Sequence, residues 1–277
     1  MFKNLINQAI LEFVMRTQSP LYIKYNTETL DPTAFDGTFI YTIRNNQRIP
    51  ILPGTSAKGV FRSRAEKILP GSCDIFNKLR NCGDRILQEE RRNNNNNQDK
   101  KVNNNFLGKE RYEKSCPACK LFGSKALKSR ILFSDAIARD NFVISQRSST
   151  PIDRITGAAK QRGLNSFEYV EYAEFDCKIV FVNFFNWHVK TILEIIEDIN
   201  EGLVTFGGYT SKGFGRMVVN DVKLTVRYYG KNPPGYQFNG IYGEKTISGL
   251  ENIRTLFKNV NIAEEVRKVN LADEPVL

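Results

Sequence analysis

Four of the chain's five cysteines, Cys73, Cys82, Cys116 and Cys119, fall in one stretch, and the last two form a Cys-Pro-Ala-Cys knuckle. Two thiolates separated by two residues can bite one ion, and two more from a second loop close a tetrahedron, which is the geometry of structural zinc. Such a site staples a segment that has little core of its own. Eight residues separate Cys73 from Cys82, wider than the usual knuckle. A redox Cys-x-x-Cys and four unrelated buried thiols therefore stand beside zinc as readings of the same residues. Cys177 lies apart from them in a strand-like run.

Three further groups carry chemistry of a different kind. Gly207, Gly208, Gly213 and Gly215, in FGGYTSKGFGR, give a loop whose backbone can approach a phosphate chain, with Lys212 and Arg216 as counter-charges. A tight structural turn fits the same spacing. Lys58 and Arg62 are four apart, on one face of the helix that follows PGTS, with Arg64 nearby. That face reads either as solvated or as a phosphate grip at a helix N-terminus. Arg154, Lys160 and Arg162 lie in a protruding hairpin with few core residues, either a surface loop or an arm over a bound strand. Asp31 and Asp36 stand among Thr, Pro and Gly, where aspartate is ordinarily a turn former.

The elements that must position these groups follow from periodicity. LINQAILEFVMRT, residues 5–17, predicts a central strand, and 18–49 a long ordered loop or hairpin with short β-like pieces (LYIKY, TFIYTI). Pro53-Gly54-Thr55-Ser56 starts a helix with Val60, Phe61, Ala65 and Leu69 on one side, and Thr55 or Ser56 as its N-cap. From Gly71 to Lys120 the composition changes to an insertion whose asparagine tract predicts a solvated, disordered tip. SRILFSDAIA then predicts one strand, 147–169 a hairpin, EYAEFDCKIVFVNF one long strand, and NWHVKTILEIIEDINEG a helix. MVVNDVKLTVRYY closes the core, and a short amphipathic helix around Leu250–Val266 packs outside it. The order strand, helix, strand, strand, helix, strand is the ferredoxin-like βαββαβ arrangement of an α+β protein. The domains expected are a core of 1–70 and 121–230, an insertion of 71–120 and an extension of 231–277.

Composition narrows the function. With 277 residues and 41% hydrophobic content the chain can bury a core, so wholesale disorder is excluded. The single histidine, His188, excludes any mechanism built on two imidazoles, and its place at the start of an apolar 3.6-residue pattern assigns it to a helix start. The apolar runs are too short for a membrane span, and the first residues lack a signal peptide's apolar stretch, so a cytoplasmic protein with no membrane partner is expected. A net charge of +10 favours a polyanionic partner, nucleic acid being the commonest, with a solvated basic surface as the other reading.

Four segments in this order, IPILPGTSAKGVFRSRAEKIL, CPACKLFGS followed by ILFSDA, PIDRITGAAKQRGLNSFEYV, and FGGYTSKGFGR, resemble the RAMP superfamily. The resemblance covers residues 5 to 228 and is to the repeated, Cas7-like backbone subunit of type III CRISPR effector complexes, in the III-D-like branch. It implies a ferredoxin-like RNA-recognition fold, a zinc-holding insertion at 73–119, and a thumb hairpin at 145–170 that kinks the guide–target duplex. It also implies partners: guide RNA, target RNA, and other RAMP subunits stacked head-to-tail. The implied RNA contacts are Ser56, Lys58, Arg62, Arg154, Lys160, Arg162, Gly207, Gly208, Lys212, Gly213, Gly215 and Arg216. DGTFIYT, beginning at Asp36, resembles the family's catalytic loop, without the glycine-rich lead-in of many relatives, and Asp31 is the competing position. The implied activity is endoribonuclease cleavage of target RNA with a divalent cation, Mg or Mn. A non-catalytic RNA-binding subunit of the same kind of complex is the alternative.

Overall fold

Along β1 (Asn7–Thr17) the residues Ala9, Leu11, Phe13 and Met15 are buried on one face, while Gln8, Ile10 and Glu12 on the other are half-buried. A strand with one covered face must bury it against a second layer, and here two helices supply the cover. Helix α5 (Asn186–Asn200) presents Val189, Ile192, Leu193, Ile196 and Ile199, all buried. The helix following PGTS adds Phe61, Ala65 and Leu69 to the same core. Each Val, Leu, Ile or Phe among them, fully buried, contributes roughly 1.5–3 kcal/mol.

In this computed structural model the described residues are 4–25, 35, 37–78, 80–95, 108–159, 163–271 and 274–277. After β1 come β2 (Lys24–Tyr25), β3 (Thr38–Phe39), the hairpin β4 (Tyr41–Arg44) and β5 (Gln47–Leu52), and helix α1 (Gly54–Ile68). The insertion holds α2 (Cys82–Asn95), α3 (Gly108–Glu113) and α4 (Pro117–Phe122). Then follow β6 (Ile131–Phe133), β7 (Ala136–Ile137), β8 (Val143–Ser149), β9 (Asn165–Tyr172), β10 (Glu174–Val182) and α5. The chain ends with β11 (Met217–Tyr229), β12 (Gln237–Phe238), β13 (Tyr242–Ser248), α6 (Leu250–Leu256) and α7 (Ile262–Glu265). The main sheet has the order β12-β13-β11-β1-β10-β6, with every described pairing antiparallel. A mixed α+β protein results, with its helical cover over β11-β1-β10-β6. Among the described residues no helix is long and apolar enough to cross a membrane.

Several sequence expectations need correction. Helix α1 starts at Gly54 with Pro53 as N-cap, so Thr55 and Ser56 lie in its first turn and neither caps it. SRILFSDAIA is not one strand, because it breaks between β6 and β7 where Asp135 leaves the ladder. EYAEFDCKIVFVNF is likewise divided at Ala173, whose N–H donates to Thr17 Oγ1 and whose carbonyl accepts from Thr17 N, both at 3.0 Å. The tail does not form a single outer helix. It adds β13 and β12 to the main sheet before two short helices. Helix α2 runs to Asn95, into the asparagine tract, and the expected disordered tip beyond it lies outside the described residues.

Candidate metal centre and nucleic-acid interface

The Cys-Pro-Ala-Cys knuckle is shaped by a helix start. Cys116 is the N-cap of α4, Pro117 opens it, and Cys119 falls one turn on, so both sulfurs face the same side. Cys82 begins α2, and Cys73 lies in the irregular segment between α1 and α2. The four sulfurs lie within 4.8 Å of one another, with Cys73 and Cys119 Sγ 3.6 Å apart. Sulfurs about 2.3 Å from a tetrahedral ion stand roughly 3.8 Å from each other, so the set fits such an ion. The Cys116 N–H donates to Cys82 Sγ at 3.2 Å. The Cys119 and Cys82 thiols hold Cys116 far below the usual thiol range, while the bond to Cys116 pushes Cys82 up to about 11. The cluster can hold a metal ion.

Arg62 departs from its expected place on a phosphate-facing surface. Its Nε donates to Glu66 at 2.8 Å, one terminal nitrogen to the Gly123 carbonyl at 3.0 Å, and the other to Cys119 Sγ at 3.6 Å. Arg64 is also committed, forming a two-bond pair with Asp198 of α5 at 2.7 and 2.9 Å. That leaves Lys58, half-buried and without an ion pair among the described residues, its ammonium lowered by burial and then by Arg62. Ser56 is half-buried beside it in the first turn. The N-terminus of α1 already meets an anion, since Asp135 Oδ1 accepts from Gly54 N at 2.7 Å.

The glycine loop, the hairpin β8–β9 and the segment after β1 meet in a cluster of aromatic rings. Tyr22, Phe167, Tyr169 and Phe214 are buried together, with Tyr209 packed on them. Tyr209 stacks on Tyr22 at 5.2 Å, and the Arg147 guanidinium lies 5.1 Å from the Phe214 ring and 5.4 Å from that of Tyr169. Gly37 belongs to the same junction: it bridges to Phe167, its carbonyl accepts from Glu168 N, and a side chain there would strike the Tyr22 hydroxyl. Asp31 and Asp36 lie outside the described residues.

The glycines divide by role. Gly207 (φ 76°) and Gly215 (φ 83°) have left-handed backbones pressed against the carbonyls of Tyr22 and Phe206, and Gly208 N donates to the Tyr22 carbonyl at 2.8 Å. Their close approach is to the protein's own backbone. Gly213 (φ 89°) has open space around it. Lys212 and Arg216 are exposed on this loop, Lys212 4.9 Å from the Tyr209 ring. Arg154 is exposed at the hairpin tip, in a turn organised by Asp153, whose carboxylate accepts from the N–H groups of Ile155 and Thr156. Lys160 and Arg162 lie outside the described residues. His188 is fully buried, and burial, Arg130 and Lys120 keep its imidazole neutral.

Sequence reasoning did not find the aromatic junction, the Asp135 cap or the Arg62 clamp. All three join segments far apart in the chain, and no local period marks them.

A sequence profile described as the RAMP superfamily matches residues 15–218. No curated protein sequence matches the chain. Among solved structures, a chain of the Type III-B Cmr-beta complex, determined by cryo-EM bound to cognate target RNA, is similar at 14% identity and a TM-score of 0.48. The alignment covers 79% of this chain and 61% of that one, so this chain spans less than two thirds of the relative's length.

Proposed function

The chain belongs to the RAMP superfamily, and from that membership we propose that it is a backbone subunit of a type III CRISPR ribonucleoprotein that binds guide RNA, holds the paired target RNA and cleaves it at regular intervals. The observation that carries this reading is the junction where the hairpin base, the glycine loop and Gly37 are packed together. A thumb-like hairpin with Arg154 at its tip and a loop presenting Lys212 and Arg216 would then act on one stretch of RNA backbone, with Lys58 and Ser56 on α1 as further contacts. Lys160 and Arg162, further along the sequence, are proposed as additional RNA contacts. The core is ferredoxin-like in this reading: the elements β1, α1, β6, β10, α5, β11 pair in the order β11-β1-β10-β6, which supports it. The ion suited to four thiolates at these separations is zinc.

For cleavage, Asp36 is the proposed acting residue and Asp31 its competitor. RNA supplies its own nucleophile. The 2′-oxygen attacks the phosphorus, its proton passes to the carboxylate, and the bond to the 5′-oxygen breaks, with water protonating the leaving oxygen. A divalent cation, Mg or Mn, would neutralise charge on the phosphoryl oxygens when bound. Products end in a 2′,3′-cyclic phosphate and a 5′-hydroxyl. One such subunit covers few nucleotides, so copies or relatives would stack head-to-tail along the guide.

The test is cleavage of a matched target by the assembled complex carrying Asp36→Ala or, separately, Asp31→Ala. Asp36→Ala should lower the rate on the order of 10²–10⁴ while guide and target still bind. Undiminished cleavage in both variants would leave the chain as a non-catalytic backbone subunit. RNA affinity should fall steeply as salt rises, by the release of counterions. No detectable affinity near physiological salt would sink the RNA reading altogether.

A further inference from the structure

The fork of Arg62 ties helix α1 to the cysteine cluster. Four thiolates around a dication leave two negative charges in a half-buried place, and such a centre needs donors to its sulfurs. Arg62 is placed to supply one: it reaches Cys119 Sγ at 3.6 Å, while its other two donating nitrogens are anchored on Glu66 at 2.8 Å and on the Gly123 carbonyl at 3.0 Å. Gly123 caps the knuckle helix, its N–H bonded to the Cys119 carbonyl at 3.0 Å. One guanidinium therefore grips a metal-ligating sulfur and the end of the turn that carries it. A lysine could keep the charge but not the three directions. On the α1 side, the neighbouring Phe61 packs on Phe133 at 5.3 Å and on Phe206 at 6.4 Å, the residue that leads into the glycine loop.

We propose that Arg62 is a positioning residue of the metal centre: it balances the thiolate charge, fixes Cys119, and makes metal affinity depend on the seating of α1. The proposal rests on the metal reading given above. It assigns to the metal centre a residue whose i, i+4 partnership with Lys58 on α1 suggested RNA.

The test uses the full chain loaded with Co²⁺ or Zn²⁺, read by the thiolate-to-cobalt charge-transfer band and by competition with a chromophoric chelator. Arg62→Met should weaken metal retention about 10–100-fold. It should also move the band to lower energy, because the Cys119 sulfur loses a donor. Arg62→Lys should recover part of the affinity through its charge alone, and it carries the test if Arg62→Met does not fold. Wild-type affinity with an unmoved band in the variants would overturn the role of Arg62 while leaving the metal site standing. A wild-type chain with no thiolate band would instead remove the metal reading, and this proposal with it.

Discussion

Gly207 and Gly215 are fixed as glycine by the protein's own carbonyls, whereas Gly213 owes its identity only to a left-handed backbone with space around it. Gly213→Ala should therefore cost about 1–2 kcal/mol. Gly207→Ala and Gly215→Ala add a displaced backbone to the same strain and should cost about 3–5 kcal/mol. Urea midpoints of the three variants check this, and equal losses would mean that the backbone at Gly207 and Gly215 can move aside. At this scale the sequence was most legible where residue chemistry is self-announcing. Four cysteines around a core-poor segment could be grouped without knowing the fold, and they do converge. Arg62 was not legible in the same way, because an i, i+4 spacing fixes which face a side chain shares and not what lies over that face.

Helix α1 shows how an element can borrow its start from elsewhere. PGTS announces the helix, but the group that accepts from Gly54 N is Asp135, eighty-one residues on, in the break between β6 and β7. Gly54 is small for the same reason, since a Cβ there would stand 2.7 Å from the Phe133 carbonyl. Asp135→Ala should cost 0.5–2 kcal/mol, typically about 1, by removing the cap and its favourable charge at the helix N-terminus. Thermal unfolding of the variant measures it, and an unchanged midpoint would mean that other groups cap the helix. The elements that carry a clean period, β1 and α5, could be read from the residues alone, and β11 could be read as a strand although its alternation changes phase at a bulge near Asp221. Those that could not were interrupted by contacts from afar: β6 and β7 by the cap on α1, β9 and β10 by Thr17 at Ala173, and the tail by the sheet edge it joins.

On the scale of the whole molecule, two anchors of different chemistry order the insertion, one closing it on itself and one packing it on the core. One is the cysteine cluster. The other is Tyr112, fully buried, stacked on Phe185 at 6.0 Å beneath the Arg130 guanidinium, with its hydroxyl 3.4 Å from His188 Nε2. Stripping the metal with a chelator should loosen only the first anchor. Limited proteolysis should then cut around Cys73 and Cys82 while the sheet and the β8–β9 hairpin stay intact, and the metal-loaded chain should resist. Global unfolding on metal removal would show that the second anchor does not stand alone. His188 is also the neighbour of Trp187, the chain's single tryptophan, which is itself fully buried. The molecule therefore carries one tryptophan as an optical probe, set beside the Tyr112 anchor. Its emission should stay blue through metal loss and turn red only when the Tyr112 anchor gives way, so light alone can separate the two failures.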